Sequence, residues 1–189
     1  MSQKFIYVVR HGETDANKLG LFQGRKGNFN LNANGIKQAK KTGSYFKSLN
    51  KKFKIYSSPA TRALHTAELI ANKLKINKKN IIIDNRLNEG DKGILEGKKI
   101  NDTNDKIIKE YNKNINKYLK ENKDFNKYLN LNNFEKHQSK KYNLETLISI
   151  SRRLNSFFKD LKKTKNSNII IVTHSGCIKN LINNLFNIN

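Results

Sequence analysis

Short apolar runs alternate with longer helical patterns along this chain, and that alternation restricts it to an α/β fold. The runs are FIYVV (5–9), FKIYSS (53–58), NIIID (80–84) and NIIIVT (168–173). Three of them are continuously apolar, as expected for strands covered on both faces in a parallel sheet. The intervening patterns have helical spacing. NGIKQAKKTGSYFKSL groups Ile36, Ala39, Gly43 and Phe46, and ATRALHTAELIANKL groups Ala63, Ala67, Ile70 and Leu74. LETLISISRRLNSFFKDL groups Leu144, Leu147, Ile148, Leu154, Phe158 and Leu161, and CIKNLINNLF follows the last strand. The expected architecture is a mostly parallel central sheet with helices on both faces, in a single domain spanning 1–189. Residues 98–143 depart from the pattern: they hold many Lys and Asn and no Gly, Pro or Arg. Ile107, Ile108, Tyr111, Ile115, Tyr118 and Leu119 still recur at helical spacing there, so the segment reads as an inserted helical unit.

The net charge of +23 raises the question of a polyanionic partner. Lys and Asn are enriched together along nearly the whole chain, which is the mark of an AT-rich coding sequence rather than of one basic face. No aromatic RNA-binding motif or zinc spacing accompanies the charge, so a nucleic-acid partner is disfavoured. Cys177 is the single cysteine, which excludes an intrachain disulfide framework and a cysteine metal cluster. The N-terminal apolar run is too short for a signal peptide, and no segment approaches the ~18 apolar residues of a membrane span. A soluble cytoplasmic protein is expected, and a homodimer is compatible with the sequence.

The unusual polar residues fall at the ends of the strands. Arg10 and His11 follow the first, Arg62 the second, Glu89 the third and His174 the fourth. Ligands of open α/β sheets bind beyond the carboxyl ends of their strands. Four segments thus deliver two histidines, two arginines and a glutamate to one edge. The chain otherwise takes Lys for positive charge. Of its six arginines, Arg10, Arg25, Arg62 and Arg86 lie in or beside these loops. A planar guanidinium grips phosphate bidentately where an ammonium cannot. His65 and His137 fall in helical patterns and receive no role. Ser57 and Ser58 lack a nucleophile elbow and read as a turn, with Pro59 opening a helix at its first position. Glu13 and Asp91 are neighbouring acids, and no ligand spacing argues for a metal.

RHGETDAN (10–17) resembles the signature of the histidine phosphatase superfamily, which includes the cofactor-dependent phosphoglycerate mutases. FQG (22–24) with LNANGIKQA (31–39), SSPATRALHTAELIA (57–71), RLNEGDKGILEG (86–97) and VTHSG (172–176) are similar to the family's later motifs, in the same order. The resemblance implies a three-layer α/β domain in which residues 98–143 form a substrate-selecting lid. It implies His11 as the nucleophile that becomes phosphorylated, with Arg10, Arg62 and His174 around the phosphoryl oxygens and Glu89 as proton donor. Asn17, Gln23 and Gly24 match substrate-contacting positions. Gly12 would leave room for the phosphate. No cofactor or metal is implied, and the partner is a small phosphorylated metabolite.

Hydrolysis and mutase chemistry share the phosphohistidine. Mutases of this family are typically longer and carry paired arginines after the acid-bearing loop, where this chain has none, so a phosphatase is the first expectation. A phosphoglycerate mutase dependent on 2,3-bisphosphoglycerate is the alternative within enzymology. A catalytically retired module binding phosphoprotein or nucleic acid is the alternative of another class. The family's Gly-Glu-Ser motif is replaced by Leu144-Glu145-Thr146, so Glu145 reads as an acid at a helix start.

Overall fold

Strand β1 (Phe5–Arg10) pairs in parallel with β4 (Asn168–Thr173), β4 with β2 (Lys54–Ser57), and β2 with β3 (Ile82–Ile83), giving the order β1-β4-β2-β3. The computed structural model describes residues 3–121 and 137–186. Helices α2 (Ala33–Ser48) and α3 (Thr61–Lys73) cover one face; α5 (Leu147–Lys162) and α6 (Ser175–Phe186) cover the other. A short α1 (Asp15–Lys18) follows β1, and α4 (Lys106–Glu121) opens the inserted segment.

The central strand β4 is the most apolar, and Ile169, Ile170, Ile171 and Val172 are fully buried. Their side chains alternate between the two helical layers. Ile170 and Val172 meet Phe46, Ala63, Ala67 and Ile70 of α2 and α3. Ile169 and Ile171 meet Leu154, Phe157 and Leu161 of α5 and Cys177 of α6. Burying each such aliphatic side chain contributes about 1.5–3 kcal/mol.

Four sequence expectations need correction. β1 is an edge strand: Tyr7 and Val9 pack under α2 and α3, but Ile6 and Val8 on the opposite face remain 39% and 38% exposed. The third run yields only two strand residues, because Lys78–Asn80 closes a 3₁₀ turn first and Ile82 and Ile83 lie on the other edge. Helix α5 begins at Leu147 rather than 144, and its buried row is Ile150, Leu154, Phe157 and Leu161, with Leu147 and Ile148 exposed. Thr146 caps it by accepting the Ser149 amide, which sets that later start. Pro59 likewise stands outside α3, whose cap is Ala60.

Within the inserted segment, Ile108 of α4 is buried with Leu95 and Tyr142, flanked by Phe22, Tyr111 and Leu144. This cluster fastens α4 to the loop that follows Glu89. The expectation of helix across the whole of 98–143 falls partly on 122–136, outside the described residues.

Candidate active site

The pairing of Arg10 with Thr173 sets the chain ends of β1 and β4 side by side, so His11 and His174 emerge together. From there β1 leads to α2 on one face and β4 to α6 on the other. That divergence opens a crevice. The two imidazole rings lie 5.2 Å apart, centroid to centroid.

His11 is held in one tautomer. Its Nδ1 lies 2.8 Å from the Gly12 carbonyl oxygen, which can only accept, so Nδ1 carries the hydrogen and Nε2 keeps its lone pair. The Arg62 Nε–H points at that lone pair from 3.3 Å. Burial pulls the His11 pKa down to about 4. The Gly12 hydrogen bond opposes the shift, and the charges of Arg62 and Arg10 add to it. At neutral pH the ring is uncharged, with its lone pair on Nε2.

Arg62, in the first turn of α3, is 1% exposed. Its Nη2 donates to the Gly24 carbonyl at 3.0 Å, while Nη1 is buried with no partner among the described residues. Burial lowers its pKa against the pull of Glu89 and Glu96, yet a guanidinium stays charged. His174 is completely buried. Its Nε2 lies 2.8 Å from Ser58 Oγ, and its Nδ1 has no partner among the described residues. Burial, then the charges of Arg62, His11, Arg153 and Arg10, hold its pKa well below the ordinary value. Arg62 Nη1 and His174 Nδ1 are thus two buried nitrogens without partners among the described residues, close to the neutral His11 ring.

Glu89 closes the pocket from the acid-bearing loop. Its Oε1 accepts the Gly90 amide at 2.8 Å and its Oε2 the Gly176 amide at 3.1 Å, at the start of α6. A Cβ on Gly176 would stand 2.3 Å from Oε1, so this seat requires glycine. Arg10 lies exposed at the end of β1, and its charge acts on His11, Arg62 and His174. Gly24 positions Arg62 through its carbonyl. Gln23 Oε1 accepts the Thr14 hydroxyl, and Asn17 Oδ1 accepts the Thr14 amide in the cap of α1. The amide oxygens of Asn17 and Gln23 therefore brace the loop after His11.

Glu96 and Asn88 were not singled out from the sequence, and Arg25, Glu145 and Ser58 have partners that it did not show. Glu96 Oε1 accepts the Gly24 and Gly27 amides and fixes the loop that carries Arg62's acceptor. Arg25 donates to the Glu89 carbonyl and pairs with Glu145, which also takes Arg153 at 3.0 Å. Glu145 is thus a half-buried tie between three segments rather than a solvated helix-start acid. Burial pushes its pKa up, but the Arg153 hydrogen bond and the charges of Arg153 and Arg25 win and leave it lowered. Ser58 and Asn88 bridge His174 to the acid loop. Arg86, flagged by its residue type, instead pairs with Asp84 and Asp160 at 2.7 Å each.

Gly12 has a reason that the sequence did not show. A Cβ there would meet the Gly35 carbonyl oxygen at 2.4 Å, so glycine admits the start of α2. Gly12→Ala is expected to cost about 1–3 kcal/mol, as overpacking does. Thermal unfolding should then fall by about 3–10 °C; an unchanged midpoint would contradict the contact.

The lowered histidines also predict acid sensitivity. The unfolded His11 protonates near 6.5, whereas the folded one resists until about 4. Stability present above pH 6.5 is therefore lost as pH falls toward 4, by about 2–3 kcal/mol for His11. Urea unfolding at pH 7 and pH 4.5 should show this loss, reduced in His11→Asn.

Comparison with known proteins agrees with this geometry. The model of the histidine phosphatase superfamily (branch 1) matches residues 6–189. The chain belongs to that superfamily. It is 32% identical over 180 residues to a candidate phosphoserine phosphatase 2 of Hydrogenobacter thermophilus, covering 95% of this chain and 77% of that one. It is 32% identical over 203 residues to a 2,3-bisphosphoglycerate-dependent phosphoglycerate mutase of Buchnera aphidicola subsp. Cinara cedri, covering 100% of this chain and 86% of the relative. Among solved structures, phosphoserine phosphatase of Entamoeba histolytica in complex with 3-phosphoglyceric acid superposes with a TM-score of 0.67 and 29% identity, over 96% of this chain and 79% of the other. Among the described residues, no helix of this superfamily member is long and apolar enough to cross a membrane.

Proposed function

We propose that the chain is a phosphomonoesterase that hydrolyses small phosphorylated metabolites through a phosphorylated His11. The observation that carries this reading is the lone pair on His11 Nε2, fixed by Nδ1–H to Gly12 and placed beside Arg62. Unaided phosphate monoester hydrolysis needs acceleration of up to ~10²¹, so positioning and charge must supply most of it. Nε2 attacks phosphorus in line, and the P–O ester bond breaks with its electron pair going to the leaving oxygen. Protonated Glu89 supplies that oxygen's proton. Water then attacks the phosphohistidine and gives a proton to the Glu89 carboxylate, and the P–N bond returns its pair to Nε2. Arg62, Arg10 and His174 hold the equatorial oxygens.

A cavity of about 300 Å³ beside this pocket is lined by Arg25, Lys26, Asn28, Ala60, Thr61 and Asn88. It suits the remainder of a small anionic substrate such as a phosphorylated amino or hydroxy acid, the class named for two of the relatives. A larger cavity of about 770 Å³ runs along α4 and shares no residue with the site. Location in the cytoplasm accords with a single, buried cysteine.

Release of phosphate from phosphoserine, 3-phosphoglycerate and an aryl phosphate in the presence of EDTA tests the reading. No turnover with any of them, and no label on His11 at short times, would overturn it. The Buchnera relative supports a mutase as the second reading. Interconversion of 2- and 3-phosphoglycerate primed by 2,3-bisphosphoglycerate, faster than phosphate release, would establish it instead.

A further inference from the structure

The hydrogens around Ser58 can be counted. The Glu89 amide donates to Asn88 Oδ1 at 3.2 Å, which identifies that atom as the amide oxygen. Ser58 Oγ lies 3.2 Å from the same oxygen, and an oxygen that only accepts obliges the Ser58 hydroxyl to donate. The Ala60 amide in turn donates to Ser58 Oγ at 3.2 Å. A hydroxyl has one hydrogen. With that hydrogen on Asn88, the 2.8 Å contact from Ser58 Oγ to His174 Nε2 is one in which Nε2–H donates. Neutral His174 then bears its hydrogen on Nε2, and the buried Nδ1, without a partner among the described residues, is a bare lone pair.

We propose that Ser58 and Asn88 are positioning residues that fix this tautomer of His174, so that a phosphoryl oxygen reaches Nδ1 only if Nδ1 takes up a proton as the anion binds. The inference rests on the reading of this pocket as a phosphoryl site. A lone pair and an anionic oxygen repel, and with Nε2 already engaged, protonation at Nδ1 is what turns His174 into a donor. The charged and titratable groups acting on His174 are Arg62 from α3, His11 just after β1, Arg153 from α5 and Arg10 at the end of β1, and Glu89 is held by the Gly176 amide two residues further along the chain. The cations among them keep the ring neutral while the pocket is empty. An arriving dianion reverses that field. Binding is thereby coupled to one proton, and a neutral pocket becomes a cationic one only around its ligand.

Tungstate is a suitable probe, because it remains a dianion across neutral pH. The chain has four histidines, so their ring nitrogens can be resolved in ¹⁵N-labelled protein. At pH 7 the free wild-type protein should show His174 as the Nε2–H tautomer, and with tungstate as the doubly protonated ring. Asn88→Ala frees the Ser58 hydrogen to turn toward Nε2, so His174 should move toward the Nδ1–H tautomer and bind the anion without a further proton. Between pH 6 and 8 the wild-type affinity should fall about tenfold per pH unit more steeply than that of Asn88→Ala. The Nδ1–H tautomer in the free wild-type protein, or equal pH slopes in both proteins, would overturn the inference alone. Absence of tungstate binding would overturn it together with the phosphoryl-site reading.

Discussion

His11→Ala leaves a folded protein with essentially no phosphatase activity. The loss expected is on the order of 10⁴–10⁶ in kcat, the scale seen when a covalent nucleophile is removed. Its nearest side-chain partner, Arg62, is a cation without a lone pair and cannot replace it. The variant also separates chemistry from stability. His11 is buried in a form that resists protonation, so removing it relieves the acid penalty, and at pH 5 His11→Ala should unfold at a urea concentration no lower than the wild type. Rapid-quench labelling with ³²P-substrate completes the measurement. The wild type should yield acid-labile, base-stable phosphoprotein, and the variant none. Residual turnover within tenfold of wild type would exclude His11 as the nucleophile.

The parts of this site that were legible in the sequence are those that a strand carries to its own carboxyl end. β4 announces itself by an unbroken apolar run, and His174 follows it directly; the same holds for β1 with Arg10 and His11. Local pattern cannot show which strand lies at an edge. FIYVV therefore looked like a strand covered twice, although β4 occupies one side of it and Ile6 and Val8 face outward. Residues whose purpose depends on a distant partner were likewise misread. Ser58 resembled an ordinary turn serine because His174 lies 116 positions away. Glu145 resembled a helix-start acid because Arg25 lies 120 positions away. The preference for Arg over Lys was informative where the guanidinium fans toward several acceptors in the pocket, and misleading at Arg86, where the same geometry serves the carboxylates of Asp84 and Asp160.

Glu89→Gln should divide substrates by their leaving groups. With an alkyl phosphate such as phosphoserine the departing alkoxide needs a proton, and removal of the general acid is expected to cost about 10²–10⁴ in kcat. With a nitrophenyl phosphate the leaving phenolate departs without help, so the first step should be almost unaffected. The second step still needs a base for water, so phosphohistidine accumulates and an initial burst of nitrophenol precedes slow turnover. The substitution also disturbs the seat itself. Both Glu89 oxygens accept backbone amides, from Gly90 and Gly176, and a glutamine must turn its NH₂ toward one of these donors. Gly176→Ala separates the two effects: it keeps the carboxylate but drives a methyl group to within 2.3 Å of where Oε1 lies. If position matters as much as proton transfer, Gly176→Ala should show the same burst and the same discrimination between alkyl and aryl substrates. Equal losses for both substrate classes in Glu89→Gln would remove Glu89 from the proton-transfer role and leave it as a structural anchor for α6.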